Sequence, residues 1–143
     1  MDYPDATQAA HEFFGVHVPF LAWLDIHGLA WKPGESKIEL VLRPELHNSL
    51  AAAHGGVVCT VLDVAMAAAA RSDDPAMRVV TVDMSVQFMR PGKGVLTAQG
   101  YARTVTRSFA FCDAEIRDST GEVVARGHGV FKRLKPGRGD GDG

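Results

Sequence analysis

Apolar and polar positions alternate along most of this chain, and one stretch breaks the alternation. Ile38, Leu40 and Leu42 alternate with Lys37, Glu39, Val41 and Arg43, which predicts a half-buried strand. Val80, Val82, Met84, Val86 and Phe88 alternate with Thr81, Asp83, Ser85 and Gln87 in a longer one, closed by Pro91-Gly92. Val95 to Val105, Ser108 to Arg117 and Val123 to about Leu134 read as further strands. In the second of these, Phe109, Phe111 and Asp113 oppose Ala110, Cys112 and Ala114, and Asp118-Ser119-Thr120-Gly121 is a hairpin turn. Upstream, Ile26 to Trp31 reads as a first strand, with a turn signal at Pro33-Gly34.

The exception runs from Gly55 to Ala70 and reads as a helix that is apolar on nearly every side. Such a helix is a buried one, so the sheet must wrap it. Ala65 and Ala67 to Ala70 would let neighbours approach it closely. Two strands, one buried helix and four more strands predict an α+β fold with an antiparallel sheet. The sheet's edges want pairing, which favours oligomers. Near the N-terminus, Asp5 or Thr7 can cap a short helix through about Phe14. The apolar cluster from Phe13 to Leu24 is expected to pack over an edge of the fold.

These features divide the chain into an N-terminal helical segment (1–24), a main domain (25–135) and a disordered Gly-rich tail (136–143). The tail contains Arg138-Gly139-Asp140, an adhesion tripeptide, read here as solvated because Met-Asp-Tyr-Pro-Asp at the start lacks a basic signal region. The 143 residues suffice for one domain with its own core. A net charge of −2 implies no broad affinity for nucleic acid or membrane. The longest apolar run is interrupted at Asp63 and is too short to span a bilayer. Cys59 and Cys112 sit in apolar surroundings without metal-type spacing, as expected of a reduced, cytoplasmic chain.

Asp63 is the one carboxylate, amine or guanidinium side chain between His54 and Arg71. Burying it without partners would be costly. Either backbone N–H groups or Thr60 satisfy it, or it is there for chemistry. His54-Gly55-Gly56 opens the same helix after a loop of about a dozen residues, a length often associated with function. Free amides and the helix dipole at that end could polarise a carbonyl and stabilise the oxyanion formed on attack. The same tripeptide could equally be a tight loop-to-helix junction. Eight residues separate Gly55 from Asp63, about 12 Å along a helix. A site using both therefore needs two chains, Asp63 of one facing Gly55 of the other.

Cys59, one turn before Asp63, could act as a thiol nucleophile with His54 as base, but apolar neighbours do not activate a thiol. His47 with His54 makes a weak zinc pair, and the remaining histidines show no helical metal spacing.

Several of these stretches together carry a resemblance. They are Asn48, then His54-Gly55-Gly56 six residues later, then Leu62-Asp63 within Val58 to Ala65. Thr81-Val82-Asp83-Met84 and Phe88-Met89-Arg90-Pro91-Gly92 complete the set. The pattern closely resembles the hotdog-fold acyl-CoA thioesterases of the 4-hydroxybenzoyl-CoA thioesterase superfamily. The similar branch includes the phenylacetate-pathway thioesterase and mammalian thioesterase superfamily member 2, and the likeness covers roughly Trp23 to Leu134. It implies a long helix wrapped by an antiparallel sheet, paired into homodimers and often homotetramers. It also implies that Asp63 is the catalytic carboxylate, as general base or nucleophile, and that the Gly55 N–H and the Asn48 side chain bind the thioester carbonyl. His54 would support the loop and Thr81 would orient the water. Thr81 has the strand parity of Asp83, which would turn it toward a neighbouring subunit's site. Ala51 stands where relatives commonly have glycine.

The implied partner is an acyl-CoA, with coenzyme A part of the substrate and neither cofactor nor metal required. A thiolate with a conjugate-acid pKa near cysteine's, about 8.5, leaves without a strong general acid. Arg90, Lys93 and Arg107, with Lys132, are candidates for holding the coenzyme's phosphates. The acyl pocket is expected to draw on Val57, Val58, Leu62, Phe20 and Trp23. Two alternatives stand beside this reading: a hotdog hydratase or dehydratase, and a non-catalytic acyl-CoA-binding module.

Overall fold

The apolar run at Gly55–Ala70 forms the one long helix, α2, and the alternating segments form a single sheet around it. The computed structural model describes residues 12–135, so the expected cap at Asp5 or Thr7 and the tail lie outside the described residues. In chain order the elements are α1 (Pro19–Leu24), β1 (His27–Lys32), β2 (Glu35–Val41), α2, β3 (Arg78–Phe88), β4 (Val95–Val105), β5 (Phe109–Arg117) and β6 (Val123–Leu134). All six strands belong to one antiparallel sheet in the order β1-β2-β4-β5-β6-β3. The α+β expectation holds, with α2 packed against every strand.

The core lies between helix and sheet. Val61, Leu62, Ala65 and Met66 meet Ile38, Leu40, Leu96, Ile116 and Phe131, all without appreciable exposure. Small residues set how close the two layers come. The inward side chains of β5 include Ala110, Cys112 and Ala114, while Phe109 and Phe111 point outward. At Gly100 in β4 a Cβ would collide with the Ala65 carbonyl, so glycine is required there. Ser36 Oγ donates to that same carbonyl at 2.6 Å, and Trp31 Nε1 to the Ala68 carbonyl at 2.9 Å. Both bonds tie the helix to the β1–β2 side.

The N-terminal segment joins the same core. Residues 13–16 make a tight turn, with Phe14 and Gly15 in the left-handed region, and Phe13, Leu21 and Leu24 are buried against the helix and sheet.

One expectation fails in β3. The register with β6 shifts between Thr81 and Asp83, leaving Val82 as an extra, bulged residue. Alternation alone puts Thr81 on the face of Asp83 and opposite Met84. The bulge reverses the facing halfway along, so Val79, Thr81, Met84 and Val86 share the helix side. Val80 and Val82 are left exposed, at 51% and 58%.

A second correction concerns the helix. It is not enclosed all round within one chain. Gly56, Thr60, Asp63 and Ala67, spaced at three and four residues, form a stripe that is exposed at Gly56 and only half covered at the other three.

Candidate active site

The loop before α2 is held at both ends. A 3-10 turn at Pro44–Leu46 leads to a bridge between His47 and Ala53, and the Ala53 and His54 N–H groups donate to the Gly92 and Leu46 carbonyls. Asn48 organises the tip: its Oδ1 accepts from the Leu50 N–H at 2.9 Å and the Ala52 N–H at 3.2 Å. That arrangement turns the side-chain amide of Asn48 outward, as a donor without a partner among the described residues. Ala51 adopts φ +57°, the left-handed conformation that suits glycine and strains other residues.

His54 is the N-cap. Its Nδ1 accepts the Gly56 N–H at 2.9 Å, which fixes the neutral tautomer with the proton on Nε2. The Val57 and Val58 N–H groups both close on the His54 carbonyl. Of the first amides, Gly55 alone has no acceptor among the described residues, so a single donor stands free at the positive end of the helix. The ring of Phe88 lies over it: a methyl at Gly55 would sit 3.7 Å from the ring's edge. With Nδ1 engaged by Gly56, His54 is not poised as a base for Cys59.

Asp63 lies in the middle of the half-covered stripe rather than deep in the core. The Thr81 hydroxyl donates to its Oδ1 at 2.6 Å, a partner supplied by the β3 bulge from the same chain. Thr60, the other candidate partner, donates instead to the Gly56 carbonyl at 2.8 Å. Thr81 therefore fixes the orientation of the carboxylate and leaves Oδ2 open.

Beside Asp63 is a cavity of about 320 Å³ walled by Phe13, Val16, Phe20, Leu21, Ala67 and Arg71 among others. Phe20 was anticipated as a wall residue. Val58 and Leu62 are core residues, and Trp23 packs beneath the Arg43 guanidinium, 4.8 Å from its ring centre. Val16 and Arg71 were not anticipated. An arginine immediately after an all-apolar helix was the available signal for Arg71.

The four cations expected to make phosphate contacts do not share one location. Arg90 and Lys93 follow β3 in the segment whose Gly92 carbonyl anchors Ala53, so they neighbour the start of α2. Arg90 also faces Glu122 at 3.6 Å. Arg107 lies in the β4–β5 turn, which Arg133 ties to Asp73 beyond the other end of α2. Lys132 is on the outer face of the sheet. That face carries exposed ion pairs, Arg103–Asp113 at 2.6 Å and Glu115 with Arg117 and Arg126 at 2.9 Å. Of these, Arg103, Asp113, Glu115 and Arg126 line a separate depression of about 440 Å³ on the side away from Asp63.

Comparison with known proteins bears on this geometry. The family model described as "Thioesterase superfamily" matches residues 50–125, which include α2 and Thr81. A Halobacterium salinarum protein named "Putative esterase" is 30% identical over 143 aligned positions, covering 92% of this chain and 94% of its own length. Among solved structures, the E. coli PaaI protein from the phenylacetic acid degradation operon superposes with a TM-score of 0.76 at 24% identity, covering 82% of this chain and 85% of that one. Zebrafish thioesterase superfamily member 2 superposes with a TM-score of 0.69 at 23% identity, covering 76% and 80%. The wrapped helix is thus the hotdog fold, and with the matched model spanning the capped helix and its aspartate, the chain belongs to the thioesterase superfamily.

Proposed function

We propose that the protein hydrolyses an acyl-CoA thioester to the free acid and coenzyme A, in a site built from two copies of the chain. The observation that carries this reading is the separation of its two parts. The free Gly55 N–H and the Asp63 carboxylate lie about 12 Å apart on one rigid helix. Neither can serve the other, and the half-covered stripe between them awaits a partner.

In the assembled site the thioester carbonyl accepts from Gly55 N–H and from the Asn48 amide of one protomer. Asp63 of the other either attacks the carbonyl carbon or takes a proton from a water that does. Negative charge developing on the carbonyl oxygen is stabilised by the two donors. The C–S bond then breaks and the thiolate leaves, to be protonated as coenzyme A. With an activated water the acyl group departs as the carboxylate, whereas direct attack leaves a mixed anhydride on Asp63 that a water hydrolyses to the free acid and the restored carboxylate. Thr81 contributes by holding Asp63 in place through Oδ1, which leaves Oδ2 for the reaction. The cavity beside Asp63 takes the acyl chain. Arg90 and Lys93, close to the helix start, and Arg107 would meet the phosphates. Coenzyme A acts as part of the substrate, so no cofactor enters the chemistry. The assembly is a homodimer through the stripe and β3, and the ion-paired outer face would carry a further pairing into a homotetramer.

Thiol release from a panel of acyl-CoAs, by wild type and Asp63→Ala, tests the reading. Release by the wild type and its loss in the variant support it. Binding without release by either protein would indicate an acyl-CoA-binding module. A change in enoyl absorbance without thiol would indicate a hydratase or dehydratase. Single-turnover hydrolysis in ¹⁸O-labelled water addresses the route: label in the protein carboxylate requires direct attack followed by water at the aspartyl carbon of the anhydride, whereas water activation labels the product alone.

A further inference from the structure

The structure holds two buried arginines of contrasting character. Arg133 is 8% exposed and meets the Asp73 carboxylate at 2.7 Å through both oxygens. Arg71, 7% exposed at the C-cap of α2, has no carboxylate partner among the described residues. Its hydrogen bonds go to carbonyls: those of Phe14 at 2.9 Å, Phe13 at 3.4 Å and Pro75 at 3.3 Å. The guanidinium also lies 4.8 Å from the ring centre of Trp31. A guanidinium has five N–H donors, and three bonds leave capacity unused. Burial pushes Arg71 below the ordinary arginine range without an opposing anion.

Arg71 lines the same cavity as Asp63. Asp63 in α2 and Arg71 at its C-cap are eight residues apart, about 12 Å along the axis. Between them the wall is Val64, Ala67 and Ala68, which offers room and no polar group. The cavity thus has a carboxylate at its reactive end, an apolar middle and an uncompensated cation at its far end.

Building on the thioesterase reading, we propose that Arg71 selects acyl chains that end in a second carboxylate, and that the favoured substrates are ω-carboxyacyl thioesters. A carboxylate there would accept charge-assisted hydrogen bonds from the unused donors and neutralise the buried charge. The axial gap of about 12 Å, less a contact distance of about 3 Å at each end, leaves roughly 6 Å, which an extended chain of about six carbons covers. A plain alkyl chain of the same length would fill the middle but leave the cation as it is.

The test compares kcat/KM for adipoyl-CoA and hexanoyl-CoA in wild type, Arg71→Met and Arg71→Lys. The expected wild-type ratio is on the order of tenfold or more in favour of adipoyl-CoA. It should fall to about one in Arg71→Met and be intermediate in Arg71→Lys, which keeps the charge but loses the fork. A wild-type ratio at or below one overturns the proposal whether or not the variants fold. So does a preference that survives in Arg71→Met, which would leave Arg71 as a clamp on the Phe13–Phe14 turn. If the wild type hydrolyses neither thioester, the thioesterase reading fails and tryptophan fluorescence decides this inference alone. Hexanoate, whose carboxylate Arg71 would hold, should then perturb Trp31 emission at concentrations where neutral hexanamide does not, and equal or absent responses overturn it.

Discussion

A site shared between two protomers has a consequence that no single-chain site can imitate. Asp63→Asn removes the reacting carboxylate, and Asn48→Ala removes a carbonyl donor from the opposite half. Loss of a general base costs about 10² to 10⁴ in rate, and loss of one oxyanion donor about 10² to 10³. Each variant alone should therefore retain a few per cent of wild-type turnover or less. In a mixed dimer, the Asp63 of the Asn48→Ala chain faces the intact Asn48 and Gly55 of the Asp63→Asn chain. That site is wholly wild type, while the other carries both lesions. With equal expression and random pairing, about one half of Asp63-donating chains and, independently, one half of their partners are suitable, so about one quarter of sites are restored. Co-expression with two affinity tags, followed by purification on both, isolates the mixed species and raises the fraction to about half. The assay is thiol release per protomer at saturating acyl-CoA. Activity no higher than the mean of the two parents would refute the shared site. High activity in Asn48→Ala alone would remove Asn48 from the carbonyl pocket.

Three further outcomes are expected. Thr81→Val deletes the 2.6 Å bond to Asp63 and should lower kcat by about tenfold with little change in KM, a split that steady-state kinetics reads directly. Ala51→Gly relieves the left-handed strain in the Asn48–His54 loop and should raise stability by about 1 kcal/mol in urea denaturation, and an unchanged midpoint would argue against the strain. Burial pushes the Cys112 thiol from 9.0 up to about 12, so its thiolate forms more readily in the unfolded chain than in the folded one. Its contribution to stability is complete below pH 9.0 and is lost as pH rises toward about 12. Cys112→Ala should flatten that part of the stability–pH curve, and a curve of unchanged slope would contradict the assigned environment.

The sequence made the scaffold legible because each signal was local. A long, mostly apolar stretch with glycines at its start marked a helix packed in the core, and alternation with turn dipeptides marked the strands. Position 81 was misjudged because alternation in side-chain character runs unbroken through Val80 to Phe88 while the backbone inserts Val82. A bulge changes facing without changing composition, so the residue letters carry no trace of it. The exposure of Asp63 was likewise hidden, since apolar residues on every side of a helix do not reveal whether its own chain or another covers them. The glycine-like conformation at Ala51 could be suspected only from the family pattern. Arg71 went unnoticed for a different reason: its importance comes from having no carboxylate partner among the described residues, which spacing along the chain cannot show.

Thr81 sits on the outermost strand, and the outer edge of β3 has no neighbouring strand among the described residues. Its exposed Val80 and Val82 make that edge a template for any extended polypeptide that drifts against it. On the proposed two-chain site a lone protomer would be both chemically idle and adhesive, so dilution should end thiol release and seed aggregates through the same event. Cellular concentration then sets not only how much activity is present but how much of the chain is left for chaperones and proteases to clear.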